Sequence, residues 1–177
     1  NGLIKVNGQK MSKSLGNFIL LSELLDNFSP DAVKFALLST SYRNDVNITD
    51  NLFSDSEKHV YEFYKVIAEV EARFGVGGSY PKIDEEFNSA MDDDFNTALA
   101  ISNLFGYFKA IKKALSSGDE SAKDMVAQIK KTYSLLGLFK VDAKKFTESY
   151  ESKNKSDIPS GILALLEEMQ NARKEKN

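Results

Sequence analysis

The sequence predicts an all-α chain, a helical bundle with a short β-ribbon and a polar loop at its N-terminal end. Three observations lead there. Apolar residues recur at helical spacing through most of the chain beyond residue 20. Glycine and proline clusters divide these periodic stretches into separate segments. Only residues 3–11 carry a hairpin pattern, with Ile4, Val6 and Gln9 flanking Asn7-Gly8, a dipeptide suited to the positive-φ positions of a tight turn.

After the ribbon, residues 10–17 are small, polar and glycine-bearing, and are expected to form a loop. Ser22 is a candidate cap for a short helix ending at Asn27. Ser29 followed by Pro30 predicts an N-cap with proline in the first helical position, opening a helix over Ala32 to Ser39. A long helix is predicted from Asn51 to Phe74, since Val60, Phe63, Tyr64, Ile67, Val70 and Phe74 follow the i, i+3, i+4, i+7 rule. Gly75 to Pro81, with three glycines and a proline, ends it.

A further helix is expected near Ile83 to Met91. Another starts near Asn96 or Thr97 and runs to about Ser116, with Ile101, Leu104, Phe105, Phe108, Ile111 and Leu115 as its buried stripe. Gly118-Asp119 reads as a turn. Ala122 to Leu136 reads as a helix closed by Gly137 at C′. A short helix over Ala143 to Tyr150 precedes a polar linker, Glu151 to Asp157. Ser160 then caps a last helix carrying Ile162, Leu165, Leu166 and Met169. The chain opens without a methionine, directly in the predicted strand, and stops in charged helix, so it is expected to be cut from a longer one.

The 177 residues are enough for one domain, or for one domain with an appendage. Apolar runs are only a few residues long, far short of the roughly 20 needed to span a membrane. Cysteine is absent, which excludes disulfides and thiolate metal sites and fits a reducing cytosol. The net charge is −3, so no global basic field gathers nucleic acid, and any RNA contact must come from local patches.

Lys10-Met11-Ser12-Lys13-Ser14 is the sharpest chemical feature. Two lysines three residues apart on a loop can meet neighbouring phosphate oxygens as compact charges, and the serine hydroxyls and loop amides add donors. No glycine stands where a Walker A loop needs one. Such a loop is expected to be mobile and to close over its ligand.

Lys10 to Ser14 is identical to the KMSKS loop of class I aminoacyl-tRNA synthetases. Gly2, Lys5-Val6-Asn7-Gly8, Leu15-Gly16-Asn17, Ser41-Tyr42-Arg43 with Asn47, Met91 to Thr97, and Ala172-Arg173-Lys174 resemble the cysteinyl-tRNA synthetases in particular, in order along nearly the whole chain. The resemblance implies a helical bundle of the kind found in that family's stem-contact and anticodon-binding-like region. Residues 1–20 would end the catalytic domain with the loop, 21–50 would form a short-helix stem-contact connection, 51–150 a tRNA-binding bundle, and 151–177 a linker and the start of a C-terminal helix. It implies ATP as substrate and ligand, cysteine and tRNA(Cys) as partners, a cytoplasmic setting without membrane, and a monomer. Lys13 and Lys10 would be catalytic, with Lys13, Lys10 and Ser12 binding ATP. The family's zinc ligands, first ATP motif and cysteine pocket are expected outside this chain, which alone would be inactive.

The remaining candidates have plainer readings beside them. His59, the single histidine, lies within the long helix and suits a surface or cap role better than zinc ligation, which needs three protein ligands. Asp92-Asp93-Asp94 lacks EF-hand spacing, and capping by Asp94 or Asn96 is the favoured reading. Arg43 is either a tRNA phosphate contact or the ion-pair partner of Asp45 or Asp50. Lys109, Lys112, Lys113, Lys123, Lys130 and Lys131 form a tRNA-facing patch or, by preference, a solvated face. Phe63, Phe105, Phe108 and Tyr133 are assigned to the core. Two other functions compete: a cysteine ligase of mycothiol biosynthesis, which passes cysteine to an amino sugar, and a non-catalytic helical module binding RNA or protein, in which Lys13 would be dispensable.

Overall fold

The structure, a computed structural model, describes residues 2–49 and 51–155. The helix predicted beyond Ser160, the Ala172-Arg173-Lys174 segment and Asp50 lie outside the described residues.

The ribbon forms as expected. Strand β1 (Ile4–Val6) turns at Asn7 and Gly8, with φ of 49° and 82°, into strand β2 (Gln9–Lys10), which pairs antiparallel with Lys5 opposite Lys10. Two successive left-handed residues match the twist of the flanking strands. A third strand, β3 (Val46–Ile48), was not expected. It adds parallel to the other edge of β1 and gives the order β2-β1-β3.

Seven helices and one 3₁₀ turn make up the rest of the described elements. Helix α1 (Leu21–Asn27) is preceded by Leu20, not capped by Ser22. The Glu23 carboxylate accepts the Leu20 N–H at 3.2 Å, and a carboxylate in the first turn also complements the helix dipole. Helix α2 (Pro30–Leu38) starts as predicted, with Ser29 Oγ accepting the Ala32 N–H at 3.2 Å. Helix α3 (Leu52–Phe74) ends at Gly75, and helix α4 (Pro81–Asp92) follows. Helix α5 (Thr97–Ser117) is capped by Asn96, whose Oδ1 accepts the Leu99 N–H at 3.0 Å, and closes on Gly118 with φ 72°. Helix α6 (Ser121–Tyr133) stops short of Leu136, because its last turn tightens into a 3₁₀ turn over Ser134–Leu136 before Gly137 at φ 77°. Helix α7 (Ala143–Lys155) continues through most of the expected linker.

The main core joins Val60, Tyr64, Ile67 and Val70 of α3 to Ile83 and Phe87 of α4, Leu104 and Ile111 of α5, and Val126, Ile129 and Tyr133 of α6. Phe63, Phe108 and Tyr133 are buried as assigned, but Phe105 is 44% exposed. Its ring meets Phe35 of α2 and His59 of α3, at centroid separations of 6.1 and 5.2 Å, which cover only part of it. A smaller apolar cluster of Val33, Ala36, Ile48 and Phe53, joined by Val6 and Ile19, lies against the sheet. Helix α2 therefore serves both clusters, Phe35 facing the bundle and Val33 with Ala36 facing the sheet. No helix among the described residues is long and apolar enough to cross a membrane.

A buried acid that the sequence reading did not single out, Asp31, fixes α2 to the bundle. Its Oδ2 accepts the Tyr64 hydroxyl at 2.7 Å and the Phe139 N–H at 2.9 Å. Lys34 stands 3.6 Å from Oδ1 and donates to the Gly137 carbonyl at 2.7 Å. Burial, followed by the Asp31 charge and its hydrogen bond, pushes the Tyr64 hydroxyl far above its usual range, so it stays a donor.

Candidate functional site

The hairpin delivers the loop. Met11 still belongs to the sheet, its N–H donating to the Ile4 carbonyl at 2.9 Å. Residues 12–17 then curl back. Gly16, with φ 65°, donates to the Lys13 carbonyl at 3.1 Å, and the Ser12 hydroxyl accepts the Leu15 N–H at 3.4 Å and lies 3.3 Å from the Ser14 hydroxyl. A left-handed residue directly behind the lysines is what lets the chain reverse here, and glycine takes it without strain.

Asn17 closes the loop at its base. Its Oδ1 accepts the Ser12 N–H at 2.9 Å, and its Nδ2 donates to the Lys10 carbonyl at 3.2 Å. Sequence reasoning used Asn17 only as part of a resemblance. The usable signal was the habit of asparagine to bond backbone groups a few residues away. Asn17→Ala removes both bonds while keeping the hairpin, so hydrogen–deuterium exchange of the Ser12 amide is expected to speed up by about tenfold, the equivalent of one modest hydrogen bond. The strand amides of Asn7 and Met11 keep their protection.

Lys10 and Lys13 are exposed, and neither forms an ion pair among the described residues. Both lysines are exposed on a loop that also carries two serine hydroxyls, an arrangement open to a polyanion.

The structure does not place Arg43 on the loop. The Tyr42–Asp45 segment leaves the sheet at the same end as the loop but on the opposite side of β1, since Ile4 faces Val46 on one edge and accepts from Met11 on the other. This segment is stitched to the front of β1. Gly2 N–H donates to the Tyr42 carbonyl at 2.8 Å, Leu3 N–H to Asp45 Oδ1 at 2.8 Å, and Lys5 Nζ lies 2.7 Å from Asp45 Oδ2. A Cβ on Gly2 would sit 1.9 Å from the Asn44 carbonyl oxygen, so only glycine allows this approach.

Of the two ion-pair partners expected for Arg43, Asp50 lies outside the described residues and Asp45 does not pair with it. Asp45 is taken by Lys5, and Arg43 pairs instead with Asp94, through Nε to Oδ2 and Nη2 to Oδ1 at 2.9 Å. The Tyr42 hydroxyl adds a third bond to Asp94 Oδ1 at 2.9 Å. The Arg43 guanidinium first, then the Tyr42 hydroxyl, hold the Asp94 carboxyl at about 2, so the contact is intact above the normal carboxylate range and is lost only as pH falls through about 2. Within Asp92-Asp93-Asp94 the capping role falls to Asn96, while Asp93 accepts from the Asn96 amide at 2.9 Å.

Of the six lysines considered as a patch, Lys112, Lys123 and Lys130 pair with Glu62, Glu120 and Glu71. His59 is exposed at the rim of the Phe35–Phe105 contact. Among the described residues no group of three or more His, Cys, Asp or Glu side chains could hold a metal.

Comparison with known proteins agrees with both halves of this arrangement. Residues 1–58 match the family model described as the tRNA synthetases class I (C) catalytic domain, and residues 86–140 match the DALR domain. Over its full length the chain is 31% identical to a cysteine–tRNA ligase of Geobacter sp. (strain M21), and over 99% of its length it is 33% identical to one of Marinomonas sp. (strain MWYL1). A cysteine–tRNA ligase of Pseudomonas aeruginosa is 32% identical over 99% of the chain. The chain spans 40%, 38% and 37% of these relatives' own lengths, respectively. With the KMSKS loop on its hairpin and the helical DALR region behind it, the chain matches part of the cysteinyl-tRNA synthetases of class I, in both family models and along its length in these relatives.

Proposed function

We propose that this chain supplies the ATP-closing loop and the tRNA-facing helices of a cysteine–tRNA ligase. The observation that carries the reading is the Lys10–Ser14 loop, presented at the end of a hairpin with two solvent-facing lysines that pair with no acid among the described residues. In the proposed reaction a carboxylate oxygen of cysteine attacks the α-phosphorus of ATP. The bond from that phosphorus to the bridging oxygen breaks, and pyrophosphate leaves. The cysteinyl group of the adenylate then passes to the 3′ end of tRNA(Cys), releasing AMP.

Lys13 offsets the charge that builds on the phosphates in the transition state. Lys10 and Ser12 assist from the loop's entry side. These are positioned charges and donors, which act by stabilising charge as it develops. Asn17 keeps the loop folded back until ligand arrives. Arg43 is proposed as an RNA phosphate contact, reached from within its ion pair with Asp94.

The division into residues 1–20, 21–50, 51–150 and 151–177 belongs to the same proposal, as do a cytoplasmic setting and a monomeric state. The chain by itself is proposed to be inactive, because the part of its relatives beyond the matched length would have to supply cysteine recognition and any zinc.

The test is transfer of labelled cysteine by the full-length gene product that contains this chain. Charging of tRNA(Cys) supports the ligase. Transfer to an amino sugar in place of tRNA replaces it with the mycothiol-type ligase, and transfer to neither leaves a helical binding module.

A further inference from the structure

Two consecutive non-glycine residues, Asp94 and Phe95, hold left-handed backbone at φ 53° each in the turn between α4 and α5. Such a pair persists only where the surroundings hold it. On the chain side, Phe95 N–H donates to the Met91 carbonyl at 2.9 Å and Asn96 N–H to the Ala90 carbonyl at 2.9 Å. The turn aims the Asp94 carboxylate across the gap to Tyr42 and Arg43, where it takes three donors. An open apolar groove of about 370 Å³, lined by Leu37, Leu38, Tyr42, Val46, Phe95 and Thr97, lies between the two segments, and the Phe95 ring is 67% exposed. The hydrogen-bonded ion pair spans that gap, while elsewhere the sheet packs on α2 and α3 through Val33, Ala36, Ile48 and Phe53. A two-pronged arginine–carboxylate contact fixes direction as well as distance, unlike a lysine pair.

What Arg43 and Tyr42 are attached to gives this tie its meaning. Their segment holds the front of β1 through the Gly2, Leu3 and Lys5 contacts, and β3 continues from it along β1. Asn47 Oδ1 accepts the Gly8 N–H at 2.8 Å, and the Ile48 carbonyl accepts the Asn7 N–H at 3.0 Å. The hairpin that presents Lys10 to Ser14 therefore rests on the Tyr42–Ile48 segment along its length.

We propose that Asp94 is a positioning residue that locks the KMSKS hairpin to the helical bundle, so that the orientation of the ATP loop is set by the turn between α4 and α5. This deepens the ligase reading above and rests on it for its catalytic consequence. The mechanical part stands separately. Through this clamp, anything that shifts the α4–α5 turn shifts the sheet under the loop.

The test compares wild type, Asp94→Ala and the charge-swapped pair Arg43→Asp with Asp94→Arg in the full-length gene product. In Asp94→Ala the Asn7 and Val46 amides are expected to exchange at least about threefold faster, as a locally opened segment does. Core amides at Leu104 and Ile129 stay unchanged, and the swapped pair recovers at least half of the protection. Unchanged Asn7 and Val46 amides overturn the clamp. Core amides that accelerate by the same factor also overturn it, since the pair then acts on global stability alone.

In cysteine-dependent pyrophosphate exchange, kcat of Asp94→Ala is expected to fall about tenfold with KM for ATP and cysteine within twofold, the pattern of a lost transition-state alignment. An active enzyme whose kcat stays within twofold of wild type overturns the positioning role. If wild type shows no exchange with cysteine, the ligase reading falls, and the amide comparison still decides the clamp.

Discussion

Lys13→Ala is expected to lower cysteine-dependent exchange of pyrophosphate into ATP by about a hundredfold or more, the cost of removing one preorganised charge from a developing transition state. The geometry separates this effect from folding. Lys13 is exposed, forms no ion pair among the described residues, and lies on the outer part of a loop closed by Asn17 and Gly16. Its loss should therefore change the stability of the chain by no more than about 0.5 kcal/mol, as for an ordinary surface position. Lys13→Arg keeps the charge but replaces a compact ammonium by a planar fork, and is expected to restore only part of the rate. A fall in exchange with unchanged urea denaturation assigns the loss to chemistry. A matching fall in stability assigns it to structure.

Asp31→Ala carries the largest stability effect, a loss of about 3 kcal/mol, because the Tyr64 hydroxyl and the Phe139 N–H are both left buried without an acceptor at about 1–3 kcal/mol each. The damage is concentrated where α2 meets the bundle. Phe139 itself sits at φ 57° and is fully packed, and its amide bond to Asp31 is part of what holds that backbone. Lys34 also loses its acid neighbour, but it is half-buried and keeps the Gly137 carbonyl. Asp31→Asn retains an acceptor of the same shape and is expected to cost less than half as much. Thermal unfolding monitored by circular dichroism checks both. For a chain of this size about 3 kcal/mol corresponds to a drop in Tm of roughly 6–12 °C. An unchanged Tm in Asp31→Ala would mean that water or repacking satisfies both donors.

Most of the helical fold was legible because its signals are local. The stripe on α3, the Ser29-Pro30 start of α2, the Asn96 cap of α5 and the glycine stops at Gly75, Gly118 and Gly137 each depend on residues within a turn or two. The Asn7-Gly8 hairpin is the same kind of signal. Strand β3 was missed because three residues alone carry no period, and its partner β1 lies some forty residues upstream. Parallel pairing leaves no turn signature between the strands. Phe105 satisfied the helical rule but faces the edge where α2 leaves part of the helix uncovered, which depends on how the helices cross.

The loop residues of the site were visible as a string, while their supports were not. Asp31 was not singled out, because its partners Tyr64 and Phe139 are distant in sequence. Capping was assigned to Asp94 or Asn96, and Arg43 either to an RNA phosphate or to Asp45 or Asp50. Arg43 and Asp94 meet across 51 residues instead. Charge pairing over such separations follows from the fold and has no sequence period to betray it.

The most direct measurement of the central claim is amino-acid-dependent exchange of pyrophosphate into ATP by the full-length gene product. The account predicts exchange that requires cysteine, is not supported by other amino acids, and falls at least about a hundredfold in Lys13→Ala. Absence of exchange with cysteine, or exchange that survives Lys13→Ala undiminished, would contradict it.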